Sequence, residues 1–276
     1  MVAGPFGDSL ALEQGQKADS AKPLFKREEG DFYQYGGLYL PEECKGSLDY
    51  STYVENDKDT GRVFDGINAA GKRGGLEAQV HLYSGFYFVR PYRGSEEPYD
   101  VPDFGLKIHV HLDPADPQYA DKLEKIARMC LAVDNGSQST EFKMMTISSQ
   151  LSIRGYGDDQ GKKSVTIYPG REGQDDNITE TIRLVRELGK ILGPTTQADR
   201  DNPNNKIYGE RLTPARGVFI RLGAITEAGR EGEAVSKETD FDKTLEANLQ
   251  RASEQRLIDA DAARQEIETA IKQGLL

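Results

Sequence analysis

The chain has no tryptophan, three histidines and two cysteines in 276 residues. Cys44 and Cys130 lie far apart, and Cys130 falls on an apparent helix core face. That reads as a buried thiol rather than half of a disulfide. No CxxC, HExxH or comparable ligand spacing is present, so neither a metal nor any other cofactor is expected. There is no Gly-rich loop of the P-loop type, which leaves nucleotide triphosphate chemistry unsupported. No apolar run approaches the roughly 20 residues that a membrane span requires, and no membrane partner is expected. The N-terminus, MVAGPFGDSLALEQGQKADS, lacks the basic-then-apolar order of a secretory signal peptide. Positive charge is also short: the net charge is −11 and the isoelectric point about 4.9. A general nucleic-acid binder needs a basic face, so no nucleic-acid partner is expected, although an acidic protein still accommodates a local basic pocket.

What remains is a polar chain, mean hydropathy −0.65, long enough for a substantial core. Residues 1–30 are small, polar and aperiodic and read as disordered or weakly ordered. Residues 31–235 read as one α+β domain, and residues 236–276 as a C-terminal helical tail. Within the domain, LEAQVHLYSGFYFVRPYRG carries strand alternation, followed by a loop and then FGLKIHVHL. Next, in DPADPQYADKLEKIARMCLAV, Asp116 is placed to cap and Pro117 to open a helix with a Leu123, Ile126, Cys130, Leu131 stripe. EFKMMTIS, QLSIRGYG and KKSVTIYPG are strand candidates. Asn177 with Glu180 has the spacing of a capping box, and Gly193-Pro194 closes the helix that follows. ARGVFIRLGAI is a further strand. From about Phe241 the pattern is helical again, as a final helical pair or an appendage. The expected fold is α+β, with a mixed or antiparallel sheet and helices packed on one side.

The most informative stretch is Lys107-Ile-His109-Val-His111. Strict alternation puts Leu106, Ile108, Val110 and Leu112 on one face and Lys107, His109 and His111 on the other. A lysine beside a group that titrates near neutrality is chemistry-capable. In EFKMMTIS, Lys143 stands between Phe142 and Met144 and so points off their face. Arg154 faces away from Leu151 and Ile153 if those two are buried, and Tyr168 stands opposite Val165 and Ile167. A further arginine comes from Arg211, Arg216 or Arg221. If these strands adjoin, several cations and a tyrosine converge on one polar face. His81 and His111 read as structural, and Arg90 and Arg93 as loop residues.

Arginines and lysines together favour an anion, most simply a phosphate. A lysine crowded by other cations loses its proton more easily and then serves as a base. A protonated histidine nearby supplies a proton to a leaving group. Base, acid and phosphate grip, without a metal or a nucleophilic cysteine, fit β-elimination from phosphothreonine or phosphoserine better than hydrolysis. A non-catalytic phosphopeptide-binding or host-interaction module on the same fold is the alternative.

KIH at 107–109, FK at 142–143, the strand candidate bearing Arg154 and the strand ending TIY at 166–168 together resemble the phosphothreonine lyase effector family. Those enzymes remove phosphate irreversibly from host MAP kinases. Their relatives include the lyase domains of lanthipeptide synthetases and a branch of plant-pathogen effectors, to which RLTPARGVFIRLG is closer. The likeness covers residues from about 80 to 225. It implies a metal-independent virulence lyase with Lys143 as base and His109 as general acid. Lys107, Arg154, Tyr168 and a late arginine, Arg211 in preference to Arg216, would hold the phosphate. It also implies a phosphorylated protein or peptide as partner, such as a host MAP kinase. The location would be the host cell, by a non-classical secretion route, or the bacterial cytoplasm.

Overall fold

The computed structural model describes residues 22–27, 30–35, 38–41, 50–72, 78–83, 85–93, 97–98, 101–131, 139–147, 149–151, 162–170, 177–202, 207, 209–226 and 240–276. The first three strands, β1 (Lys22–Arg27), β2 (Gly30–Tyr35) and β3 (Leu38–Pro41), form a small antiparallel sheet of their own. The expectation of low order over residues 1–30 therefore does not hold at Lys22–Arg27, which pairs along β2 from Gly30 to Gln34. Residues 1–21 lie outside the described part.

The main sheet is built from β4 (Ala78–Tyr83), β5 (Phe86–Arg93), β6 (Glu97–Pro98), β7 (Phe104–Val110), β8 (Glu141–Met145), β9 (Val165–Tyr168), β10 (Arg211–Leu212) and β11 (Val218–Ala224). Its order is β10-β11-β7-β9-β8-β5-β4, with β6 paired to β5, and each of these pairings is antiparallel. The helices are α1 (Tyr50–Lys72), α2 (Tyr119–Cys130), α3 (Asn177–Leu192), α4 (Gln197–Asp201), α5 (Phe241–Glu254) and α6 (Ala260–Lys272). The expected α+β class is what forms.

One face of the sheet is apolar by register. Val89, Phe142, Ile167, Ile108 and Ile220 pair side by side across five strands, and each is fully or almost fully buried. α1, α3 and α5 pack on the sheet at β4, β7 and β11 respectively. Phe64 of α1 stacks on Tyr87 with ring centroids 4.3 Å apart. The α2 stripe is as the sequence predicts: Leu123, Ile126 and Cys130 are buried, which pushes the Cys130 thiol far above its ordinary range and leaves it inert. The helix starts two residues later than Pro117, however. Asp116 accepts from the backbone of Gln118 and pairs with Lys122 rather than capping the helix.

Two further expectations are corrected. Asn177 and Glu180 form no capping box. The Asn177 side chain bridges the strands, accepting from Leu106 N at 2.7 Å and donating to Leu106 O and Pro169 O, while Glu180 pairs with Arg183. Gln150 and Leu151, read as the start of a strand, lie in a helical turn, and residues 152–161 are outside the described part. Of the two alternatives for the tail from Phe241, the final helical pair is what forms. Leu249 and Ile267 are completely buried, and Asn248 donates to Leu222 O of β11 at 2.8 Å, so α5 and α6 share the core of the domain.

Candidate active site

The face of the sheet opposite the helices carries the polar residues. Phe219, His109, Thr166, Lys143 and Phe88 pair side by side on β11, β7, β9, β8 and β5. His109 and Lys143 thus stand on one row with Thr166 between them. Two interstrand steps of about 4.8 Å put their Cα atoms roughly 10 Å apart. One step along the same face come Arg221 paired with Lys107, and Tyr168 paired with Glu141. Strand alternation makes this arrangement unavoidable once the apolar row is buried.

All of the predicted residues but Arg154 lie among the described ones. Lys143 sits among aromatic rings: its Nζ lies 5.2 Å from the Phe86 centroid, 5.7 Å from Phe88 and 5.8 Å from Tyr168. Ring faces attract a cation, so the site holds the ammonium end in a defined position. Lys107 donates from Nζ to Ala224 O at 2.7 Å, at the end of β11. Tyr168 is buried, and burial together with Glu141 raises its phenol well above the ordinary range. Glu141 is itself raised by burial, opposed by Arg90, whose Nε is 3.5 Å away, and by Lys143. Arg90 is therefore not a simple loop cation but the partner of a buried carboxyl.

Of the late arginines, the register separates Arg211 from Arg221. Arg211 pairs with Ile220 and so belongs to the helix-covered face, on the far side of the sheet from His109. Arg221 pairs with Lys107 on the polar face. Arg216 is exposed, with Nε 3.2 Å from Asp199. Of the three, Arg221 is the one that the register puts on the face of His109. Arg154 lies outside the described residues.

Two residues that the sequence reading passed over complete the site. His109 Nδ1 donates to Glu210 Oε2 at 2.8 Å, and Lys163 Nζ stands 2.7 Å from Glu210 Oε1. The three side chains are 6%, 0% and 8% exposed. Lys163 lies two residues before β9. It is fixed there by its neighbour Ser164, whose hydroxyl donates to Leu112 O and accepts from Leu112 N at 2.9 Å. Glu210 is carried by the turn at Gly209, just ahead of β10.

Burial holds the His109 imidazole down at about 4; Glu210 opposes this, while Lys163 and Lys107 push the same way. Burial alone would raise the Glu210 carboxyl, but its contacts with His109 and Lys163 outweigh that and bring it to about 2. At neutral pH the group is therefore a carboxylate flanked by a lysine and a neutral imidazole. Nδ1 carries the proton, so Nε2 presents a lone pair. Glu210 does for His109 what a carboxylate does for a catalytic histidine generally: it fixes the tautomer and favours the imidazolium when one forms.

Among the described residues, no group of His, Cys, Asp and Glu could hold a metal ion, and no helix is long and apolar enough to cross a membrane. No family model matches the chain, and no curated protein matches it significantly.

Proposed function

We propose that the protein is a phosphothreonine or phosphoserine lyase acting by β-elimination. The observation that supports this best is the single row His109–Thr166–Lys143, bordered by Lys107 and Arg221. A phosphorylated side chain laid along that row has a lysine at its Cα and an imidazole at its leaving oxygen. Lys143 Nζ takes the α-proton, and the electron pair forms the Cα=Cβ double bond. The Cβ–O bond breaks, and inorganic phosphate departs with a proton from His109 Nε2. Lys107 and Arg221 supply positive charge for the phosphate. The substrate is a phosphorylated protein or peptide, and the resemblance of the KIH, FK and TIY segments makes a host MAP kinase, met after secretion, the first candidate to assay.

A second reading has its own observation in its favour. The three rings around Lys143 favour a cation, whereas the base must act as a neutral amine. A module that only grips phosphopeptides would use the same residues without turnover.

One incubation separates these readings. A phosphothreonine peptide treated with a lyase loses the elements of phosphoric acid and leaves a dehydro residue that adds a thiol. A phosphatase would leave plain threonine, and a binding module would leave the peptide intact but bound.

A further inference from the structure

Lys163, Glu210 and His109 form a closed set of charges. With His109 neutral, the lysine and the carboxylate cancel. Protonating His109 would leave one net positive charge among three side chains exposed by no more than 8%. A buried uncompensated charge is costly, so the resting set excludes the extra proton. The surroundings act in the same direction. Lys107 is on the same strand, Arg221 on β11 beside it, and Lys143 on β8 beyond Thr166. Glu210 is the acidic group that touches His109, and Lys163 shares it. A histidine held neutral in this way cannot protonate a leaving group. A phosphate dianion docked on the polar face reverses the balance, because its charge offsets the imidazolium.

We propose that Lys163 is a positioning residue that, by sharing Glu210, keeps His109 neutral at rest, so that His109 takes up its proton from solvent only when an anionic phosphate group docks. The proposal rests on the lyase reading for its purpose and for the docking half of its test, but not for the resting-state half. On turnover the proton leaves with the phosphate, and the imidazole returns to its neutral state. The active site is thereby loaded with its acid by the substrate itself, and a group lacking phosphate is not offered a proton.

The test is a titration of the His109 ring nitrogens by NMR, with the resonance assigned by its loss in His109→Gln. The probe is a peptide carrying the non-eliminable phosphonate analogue of phosphothreonine. Without the probe, wild-type His109 should be neutral at pH 7 with the proton on Nδ1; with saturating probe it should be imidazolium. Lys163→Met should raise the resting midpoint by about 1–3 pH units, as expected for loss of a like charge that shares the same carboxylate, and Lys163→Arg should not. An imidazolium in the resting wild-type protein, or an unchanged midpoint in folded Lys163→Met, overturns the proposal. If Lys163→Met does not fold, the wild-type protein with and without probe decides: no change of His109 on saturation overturns it. If the probe fails to bind at all, the lyase reading and the docking step both fall. The Lys163→Met and Lys163→Arg midpoints still report whether Lys163 sets the resting state.

Discussion

Glu210 meets His109 across 101 residues of sequence, Oε2 to Nδ1 at 2.8 Å, with neither side chain open to solvent. The contact ties the turn ahead of β10 to the strand that carries the KIH segment, and it gives the protein a defined response to acid. His109 titrates at about 4 in the fold against an ordinary 6.5, so the unfolded chain binds the proton first as pH falls. Its contribution is complete above 6.5 and is lost progressively down to about 4. Glu210 follows: its carboxyl is at about 2 against 4.5, so its contribution is lost between those values. Urea midpoints measured from pH 8 to pH 3 should fall in two stages. His109→Gln should flatten the upper stage, worth a few kcal/mol, and leave the lower one in part. A midpoint independent of pH across the upper window would contradict this.

Lys143→Ala should abolish β-elimination while leaving measurable phosphopeptide binding, because Lys107 and Arg221 remain on the adjacent row. His109→Ala should slow turnover by roughly 10²–10⁴-fold, the usual range for loss of a general acid. Mass spectrometry of the peptide reads both. Full activity of Lys143→Ala would remove that lysine as the base.

Arg221 and Arg211 provide a test of the register. Arg221→Ala should weaken phosphopeptide binding and reduce its salt dependence, because Arg221 shares the face of Lys107. Arg211→Ala should leave affinity nearly unchanged, since its row is the one covered by helices. Binding titrations at two salt concentrations decide, and the reverse ranking would mean that the face assignment is wrong.

Gly105 and Asn177 form a tight joint at the edge of the site. A Cβ on Gly105 would lie 2.8 Å from Asn177 Nδ2 and 3.0 Å from Oδ1. Gly105→Ala should therefore destabilise the fold by about 1–3 kcal/mol. Asn177→Ala should cost a similar 1–3 kcal/mol, because it strips the Leu106 N–H and C=O of their partner. In the double variant the clash is absent, so its cost should be less than the sum of the two single costs. Chemical denaturation of the three variants measures this, and strict additivity would count against the contact.

Much of this arrangement was legible before any coordinates. The alternation in FGLKIHVHL and EFKMMTIS fixes which side chains share a face, and both strands form with that alternation intact. Sequence could not say which strands are neighbours, and that is what brings Lys143 onto the row of His109. The face of Arg211 was likewise not legible, because it depends on its pairing with Ile220. Glu210 and Lys163 left no periodic trace, since both sit at irregular positions just outside short strands. Asn177 looked like a cap because its spacing to Glu180 is a local signal, and a long-range bond to Leu106 took its side chain instead.

The joint between β7 and β9 is only three residue pairs long, Ile108 with Ile167, His109 with Thr166 and Val110 with Val165. A slip of one residue there would turn Thr166 and Tyr168 towards the helices and expose Val165 and Ile167 on the other side. One register thus sets both the apolar core and the row that His109 and Lys143 share. A one-residue misalignment that scrambles that row also takes apolar side chains out of the helix-packed core, so a molecule with a stable core is, by the same stroke, one whose polar row is in order.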